Sequence, residues 1–161
     1  MVMMKEKGAI YCPQALIFSP SEEQLASLPT AIAAKGKPLR DNLDTSMKLA
    51  RKHGVKIAFG VDSFGSVEAL ARQNLELASR LKWFTPFEIL KQATSVNAEL
   101  FALSGPRNPY QEGKLGVVTS GAYADLLLVD GNPLKDIAVL EDYKKNIRLI
   151  MKDGVIYKNT L

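Results

Sequence analysis

Apolar and polar positions change period along the chain, and each change predicts an element. "MVMMKEKG" reads as the last turns of a helix stopped at Gly8, and "AIYC" is a short apolar strand that Pro13 ends. In "SPSEEQLASL" Ser19 is a cap, Pro20 holds the first helical position and acids fill the first turn, which predicts a short helix. "PTAIAAKGKPL" has no clear period and reads as a loop. From Asp41 or Asp44 a helix runs to about His53, with Leu43, Met47 and Ala50 spaced for one buried face and Gly54 as its stop. "VKIAF" then reads as a strand, and Asp62 lies just past its end. A helix over roughly Val67 to Leu81 carries an apolar stripe of Leu70, Leu77 and Leu81 with Ala71 and Ala78.

"TPFEILKQATSVNAELFALSG" carries a complete set of helix signals. Thr85 is the N-cap, Pro86 opens the helix, Glu88 completes a capping box, and Gly105 with Pro106 closes it. Ile89, Leu90, Ala93, Val96, Leu100 and Phe101 form its predicted core face. Beyond Pro109 the period becomes that of strands. "KLGVVTS" and "ADLLLVDGNP" read as strands, and "NIRLIMKDGVIYKN" as a hairpin turning at Asp153-Gly154. "LLLV" is apolar on both faces, which predicts a central or sandwiched strand. Strand and helix alternating over short joints give an α/β class. The change of period places a domain boundary between residues 1–108 and 109–161.

Composition narrows the picture. With 161 residues, 47% of them hydrophobic, the chain can bury a core. Its net charge of +4 comes from basic residues scattered among acids, with no basic run interleaved with aromatics, so nucleic acid is not the expected partner. No apolar run approaches the ~20 residues that span a bilayer. One cysteine, Cys12, excludes an internal disulfide and a Cys-rich zinc site, and leans towards a reducing, cytoplasmic setting.

Four pieces in order, "GVKIAFGVDS", "TPFEILKQATSVNAELFAL", "GKLGVVTSGAYADLLLVDGNPLKDI" and "VIYK", closely resemble the end of metal-dependent amidohydrolases, in the imidazolonepropionase-like and Xaa-Pro dipeptidase-like branch. The resemblance implies a (β/α)8 TIM-like barrel with one or two divalent metals, usually zinc, at the C-terminal ends of its strands, and a small composite β-sandwich. "AIYC" then matches strand seven, "VKIAF" strand eight, and residues from about 110 the C-terminal half of the sandwich. A whole barrel takes about 250 residues, so this chain has room for its closing part. The opening "MVMMKEKG" accordingly resembles the middle of a longer protein.

By the same resemblance Asp62 is the strand-eight carboxylate, a catalytic residue and metal ligand that shuttles a proton from the hydrolytic water to the leaving amine. Read without the resemblance, it is a turn aspartate satisfying loop amides. The family's other ligands, a His-x-His pair, further histidines and often a carboxylated lysine, belong to strands one, four, five and six. This chain has one histidine, His53. It precedes Gly54 at a helix C-terminus, where a structural role favoured by the helix dipole is expected. A metal brings the pKa of water from about 15.7 to about 7, roughly 12 kcal/mol of hydroxide availability that an ordinary aspartate does not replace. Metal is therefore expected in the complete enzyme and not on this chain alone.

Ser63 has no His/Asp relay to activate it. Thr94 and Asn97 resemble positions that brace the loop after strand eight, and read equally as surface polar residues. Arg40 and Lys37 fall in the loop after strand seven and read as solvated charge. Two functional classes stay open. One is the C-terminal segment of a hydrolase that cleaves C–N bonds in a small amide, dipeptide or ring, working with its N-terminal part. The other is a non-catalytic chain that folds by self-association as a homo-oligomer, with an independent small α/β binding domain as a third reading.

Overall fold

The N-terminal elements are short and the sequence explains most of their ends. The computed structural model describes residues 1–18, 21–27, 29–63 and 65–161. Helix α1 (Val2–Glu6) gives way to a left-handed Gly8, as expected. "AIYC" and "VKIAF" meet through a single parallel bridge, Tyr11 to Ile57. Tyr11 N donates to Lys56 O at 2.9 Å, and Ala58 N to Tyr11 O at 2.8 Å. The next rung of a parallel ladder would need an N–H from residue 13, and Pro13 has none. The predicted strands thus pair side by side but reduce to one bridge.

Helices α2 (Ala15–Phe18) and α3 (Glu22–Ala26) follow. The predicted cap at Ser19 and Pro20 lies outside the described residues. Helix α4 (Thr30–Lys52) begins well before the predicted Asp41 or Asp44, and Pro38 lies inside it. The stretch predicted as a loop is therefore helical. Ala31, Ala33 and Ala34 are strong helix formers. Buried Leu25 of α3 also packs against α4 at Gly36, so tertiary contact outweighs the proline. Leu43, Met47 and Ala50 are buried on one face, as their spacing predicts.

The single helix predicted over Val67–Leu81 is instead α5 (Val67–Ala71), α6 (Leu75–Ser79) and a 3-10 turn (Arg80–Lys82). Only part of the predicted apolar stripe is buried. Leu70 and Leu81 are exposed, and Glu76, Leu77 and Arg80 are buried. Asp44 closes this region from α4, accepting from Trp83 Nε1 at 2.9 Å and pairing with Lys48 at 2.7 Å and Lys82 at 3.1 Å.

Residues Met1–Trp83 form one compact unit and Phe84–Leu161 a second. The second opens with α7 (Pro86–Lys91) behind the expected capping box. Thr85 N donates to Glu88 Oε2 at 2.8 Å, and Glu88 N to Thr85 Oγ1 at 3.3 Å. A π turn (Gln92–Val96) joins α7 to α8 (Asn97–Ala102). Gly116, at φ +69°, lies against this turn so closely that a Cβ would sit 2.5 Å from the Thr94 carbonyl. Neither alanine's bulk nor its backbone preference fits there.

"KLGVVTS" forms no strand; it contributes only a bridge from Lys114 to Ala122. The sheet is β1 (Leu126–Val129), β2 (Ile147–Lys152) and β3 (Val155–Asn159), antiparallel in the order β1-β2-β3, with α9 (Tyr143–Asn146) leading into β2. The hairpin turns where expected, with Asp153 at φ +50° and Gly154 at φ +75°, the two positive values a type I′ turn requires. Contrary to expectation β1 is an edge strand and β2 the central one. Leu126, Leu127 and Leu128 are 39%, 57% and 48% exposed, so no described residue of this chain supplies the cover their two-sided apolar pattern calls for.

Candidate functional site

Asp62 stands at the end of the extended segment that the Tyr11–Ile57 bridge anchors. Val55, Ile57 and Ala58 are buried, whereas Asp62 is exposed. Its φ of +56° puts it in the left-handed region, which Asp and Asn tolerate better than other side-chain-bearing residues. The carboxylate thus follows the strand on a sharp change of backbone direction, facing water. His53 ends α4 on the other side of the strand, at the helix C-cap, as its sequence position implies. Among the described residues no group of three or more His, Cys, Asp and Glu side chains gathers in a way that could hold a metal ion. Asp62 could offer one carboxylate to a divalent ion, and the other described residues do not complete such a site.

Sequence reading missed the most organised polar feature of this region. Glu76 and Arg80 are both fully buried. Arg80 Nε donates to Glu76 Oε1 at 2.7 Å. The same guanidinium donates through Nη1 to Ala58 O at 2.9 Å and through Nη2 to Pro13 O at 2.5 Å and Gly60 O at 3.5 Å. Its Cζ lies 4.5 Å from the centre of the Phe59 ring. Glu76 in turn accepts from Ala15 N at 2.9 Å and Leu16 N at 2.6 Å, satisfying the first amides of α2. Arg80 therefore takes up the carbonyls that the ladder leaves without a donor once Pro13 interrupts it. Burial lowers the Arg80 pKa and the Glu76 charge opposes that fall. The only sequence signal was an acid and a base four apart in "LELASR", a spacing that ordinarily marks a solvated helix face.

Two neighbours fill the space around this clip. A Cβ on Gly60 would lie 2.8 Å from Cys12 Sγ and 3.2 Å from Gln14 Nε2, so the strand end and the segment before α2 are in close contact. Burial raises the Cys12 pKa, against the Arg80 charge, which lowers it.

The remaining candidates do not converge on Asp62. Arg40 lies within α4, where its guanidinium pairs with Glu22 at 2.5 Å. The Lys37 side chain lies outside the described ones. Thr94 Oγ1 donates to Leu90 O in its own helix at 2.7 Å. Asn97 helps line a concavity of about 340 Å³ in the second unit, with Phe101, Tyr110 and Leu127.

Asp44 is a structural carboxylate with a consequence for pH. Hydrogen bonds from Lys48 first, then Trp83 and Lys82, hold its pKa well below the ordinary value of 3.8. A lowered native pKa means stabilisation present above about pH 4 and lost as pH falls through the native value. Asp44→Asn is therefore expected to lower the melting temperature near pH 7, with the deficit against wild type shrinking below pH ~4. Paired thermal melts across pH 2–8 check this, and a deficit unchanged by pH would remove the carboxylate from the account.

Comparison with known proteins bears on the same residues. The model of the amidohydrolase family matches residues 5–157. An ochratoxinase of Aspergillus niger is 33% identical over 97% of this chain. The alignment spans 31% of that relative, so the chain covers about a third of its length. The crystal structure of the A. niger ochratoxinase superposes with a TM-score of 0.76 at 32% identity, over 98% of this chain and 34% of that one. A prolidase solved with N-methylphosphonate-L-proline superposes with a TM-score of 0.78 at 30% identity, over 98% of this chain and 37% of the prolidase.

Proposed function

Because the chain belongs to the amidohydrolase family, we propose that it supplies the closing part of a hydrolase that cleaves amide C–N bonds. In this reading residues 1–108 carry the last two strands of a (β/α)8 barrel with their helices, and residues 109–161 carry half of a small β-sandwich. The observation that carries it is the exposed Asp62 at the C-terminal end of a segment in parallel pairing, the rim on which barrel enzymes place their chemistry. Asp62 takes a proton from the attacking water and passes it to the leaving nitrogen as the C–N bond breaks and the acyl carbon gains the hydroxyl. The described donors of this chain do not make a metal site, so the ion the family uses would be held mainly by strands outside these residues. The names of the relatives point to two substrate classes: an ochratoxin-type amide, and a dipeptide whose scissile nitrogen belongs to proline.

The test compares the 161-residue chain alone with the same chain joined to polypeptide supplying the remaining strands. Hydrolysis of Xaa-Pro dipeptides and of ochratoxin is expected only in the second case. Turnover and stoichiometric zinc binding by the chain alone would overturn the division of labour proposed here.

The exposed apolar strands favour a second reading of the chain by itself. Leu127, Val155, Ile156 and Tyr157 are each at least half exposed, on a sheet whose β1 edge no described strand covers. Open edges and apolar faces of this kind drive association. Sizing chromatography with light scattering is expected to give a mass above 17.7 kDa. A sharp monomer peak would count for an independent small domain.

A further inference from the structure

We propose that Glu76 and Arg80 are positioning residues for Asp62, holding the end of its strand where backbone pairing stops. The inference rests on the reading of Asp62 as the rim carboxylate and adds how its place is set. Pro13 cannot donate the rung that would fix Ala58 O, so the parallel pairing stops at the rung before it. Arg80 replaces that rung with a side chain. Its planar fork reaches Ala58 O on one segment and Pro13 O on the other at the same time, and its weaker contact to Gly60 O ends two residues before Asp62. Glu76 fixes the fork from below through Nε while tying Ala15 N and Leu16 N, so the two rim segments and α6 share one network. Contact of Gly60 with Cys12 and Gln14 leaves the strand end little room to shift. A carboxylate that follows such a clip inherits its position from it, and a displacement of about 1 Å at a reacting group costs about 10²-fold in rate.

The experiment uses the complemented enzyme of the preceding section, with rates normalised to the folded fraction measured by circular dichroism. Arg80→Lys keeps the charge and the pairing with Glu76, but its ammonium cannot span both carbonyls. The expected result is a fall in kcat of about 10²-fold with KM within about threefold. Glu76→Gln, which keeps the shape and weakens the hold on Arg80, is expected to lose less, in the same direction. A folded Arg80→Lys variant with unchanged kcat overturns the proposal. Asp62→Asn is measured alongside: if it too leaves kcat unchanged, the Asp62 reading has failed, whereas its loss beside a fully active Arg80→Lys variant rejects the clip alone. Should neither variant fold, backbone order parameters of the unmodified chain decide. Values near about 0.85 at Gly60 and Val61 support a clamped strand end, and values below about 0.6 overturn it.

Discussion

Arg80→Met is expected to lower the unfolding free energy of the chain by about 3–5 kcal/mol, the range for breaking a buried ion pair from one side. The variant leaves the fully buried Glu76 carboxylate without its cation, and it removes the donors from Ala58 O and Pro13 O. Domains of this size hold roughly 5–15 kcal/mol in all, so the loss is a large part of the total. Urea titration followed by tryptophan fluorescence measures it, since Trp83 is buried in the same unit. The double variant Glu76→Met/Arg80→Met separates this site from an ordinary buried pair. Apolar replacement of an ion pair is often neutral when its two members satisfy mainly each other. Here both also satisfy backbone groups, so the double variant is expected to be no more stable than the single one. A double variant restored to wild-type stability would mean that water or relaxation satisfies those amides and carbonyls instead.

The second large effect falls on activity. Asp62→Asn in the complemented enzyme is expected to lower kcat by about 10²–10⁴-fold, the usual contribution of a positioned acid–base group. The substitution is clean because asparagine also tolerates the left-handed backbone that this position requires at φ +56°. It preserves the turn and removes only the carboxylate proposed to accept the proton, so the melting temperature should stay within a degree or two. Retained turnover would return Asp62 to the role of an ordinary turn residue, and a collapse of stability would point to loop bracing rather than chemistry.

What could be read from the sequence depended on how local the determining physics is. The capping box at Thr85 and Glu88 and the turn at Asp153-Gly154 lie within four residues of themselves, and both form as read. The face of α4 carrying Leu43, Met47 and Ala50 follows from helical spacing alone. The start of α4 was hidden because Gly36 and Pro38 argue locally against a helix that packing against α3 sustains. Glu76 and Arg80 were hidden for a related reason. Their burial depends on backbone groups some 60 residues away, including an amide that a proline lacks. The edge position of β1 could not be read from "LLLV", since a strand's apolar pattern records that both faces are to be covered and not which polypeptide does so. Family membership was legible from four ordered segments, and the match over residues 5–157 bears it out. The position of Asp62 just past its strand was legible, and the buried network next to it was not.

The wide turn at Gln92–Val96 holds one more residue than a regular coil of the same length. Each residue of an α-helix advances about 100° around the axis. Everything from Asn97 to Ala102 is therefore dialled round by roughly that angle from where an unbroken count starting at Pro86 would aim it. Phe101, on the predicted core face, stands about 120° round from Ile89 by an unbroken count, and it is half exposed. Deleting any one residue between Gln92 and Val96 would let the coil close up and swing Asn97 and Phe101 to new bearings, so a shortened helix would keep its hydrogen bonds and lose its aim.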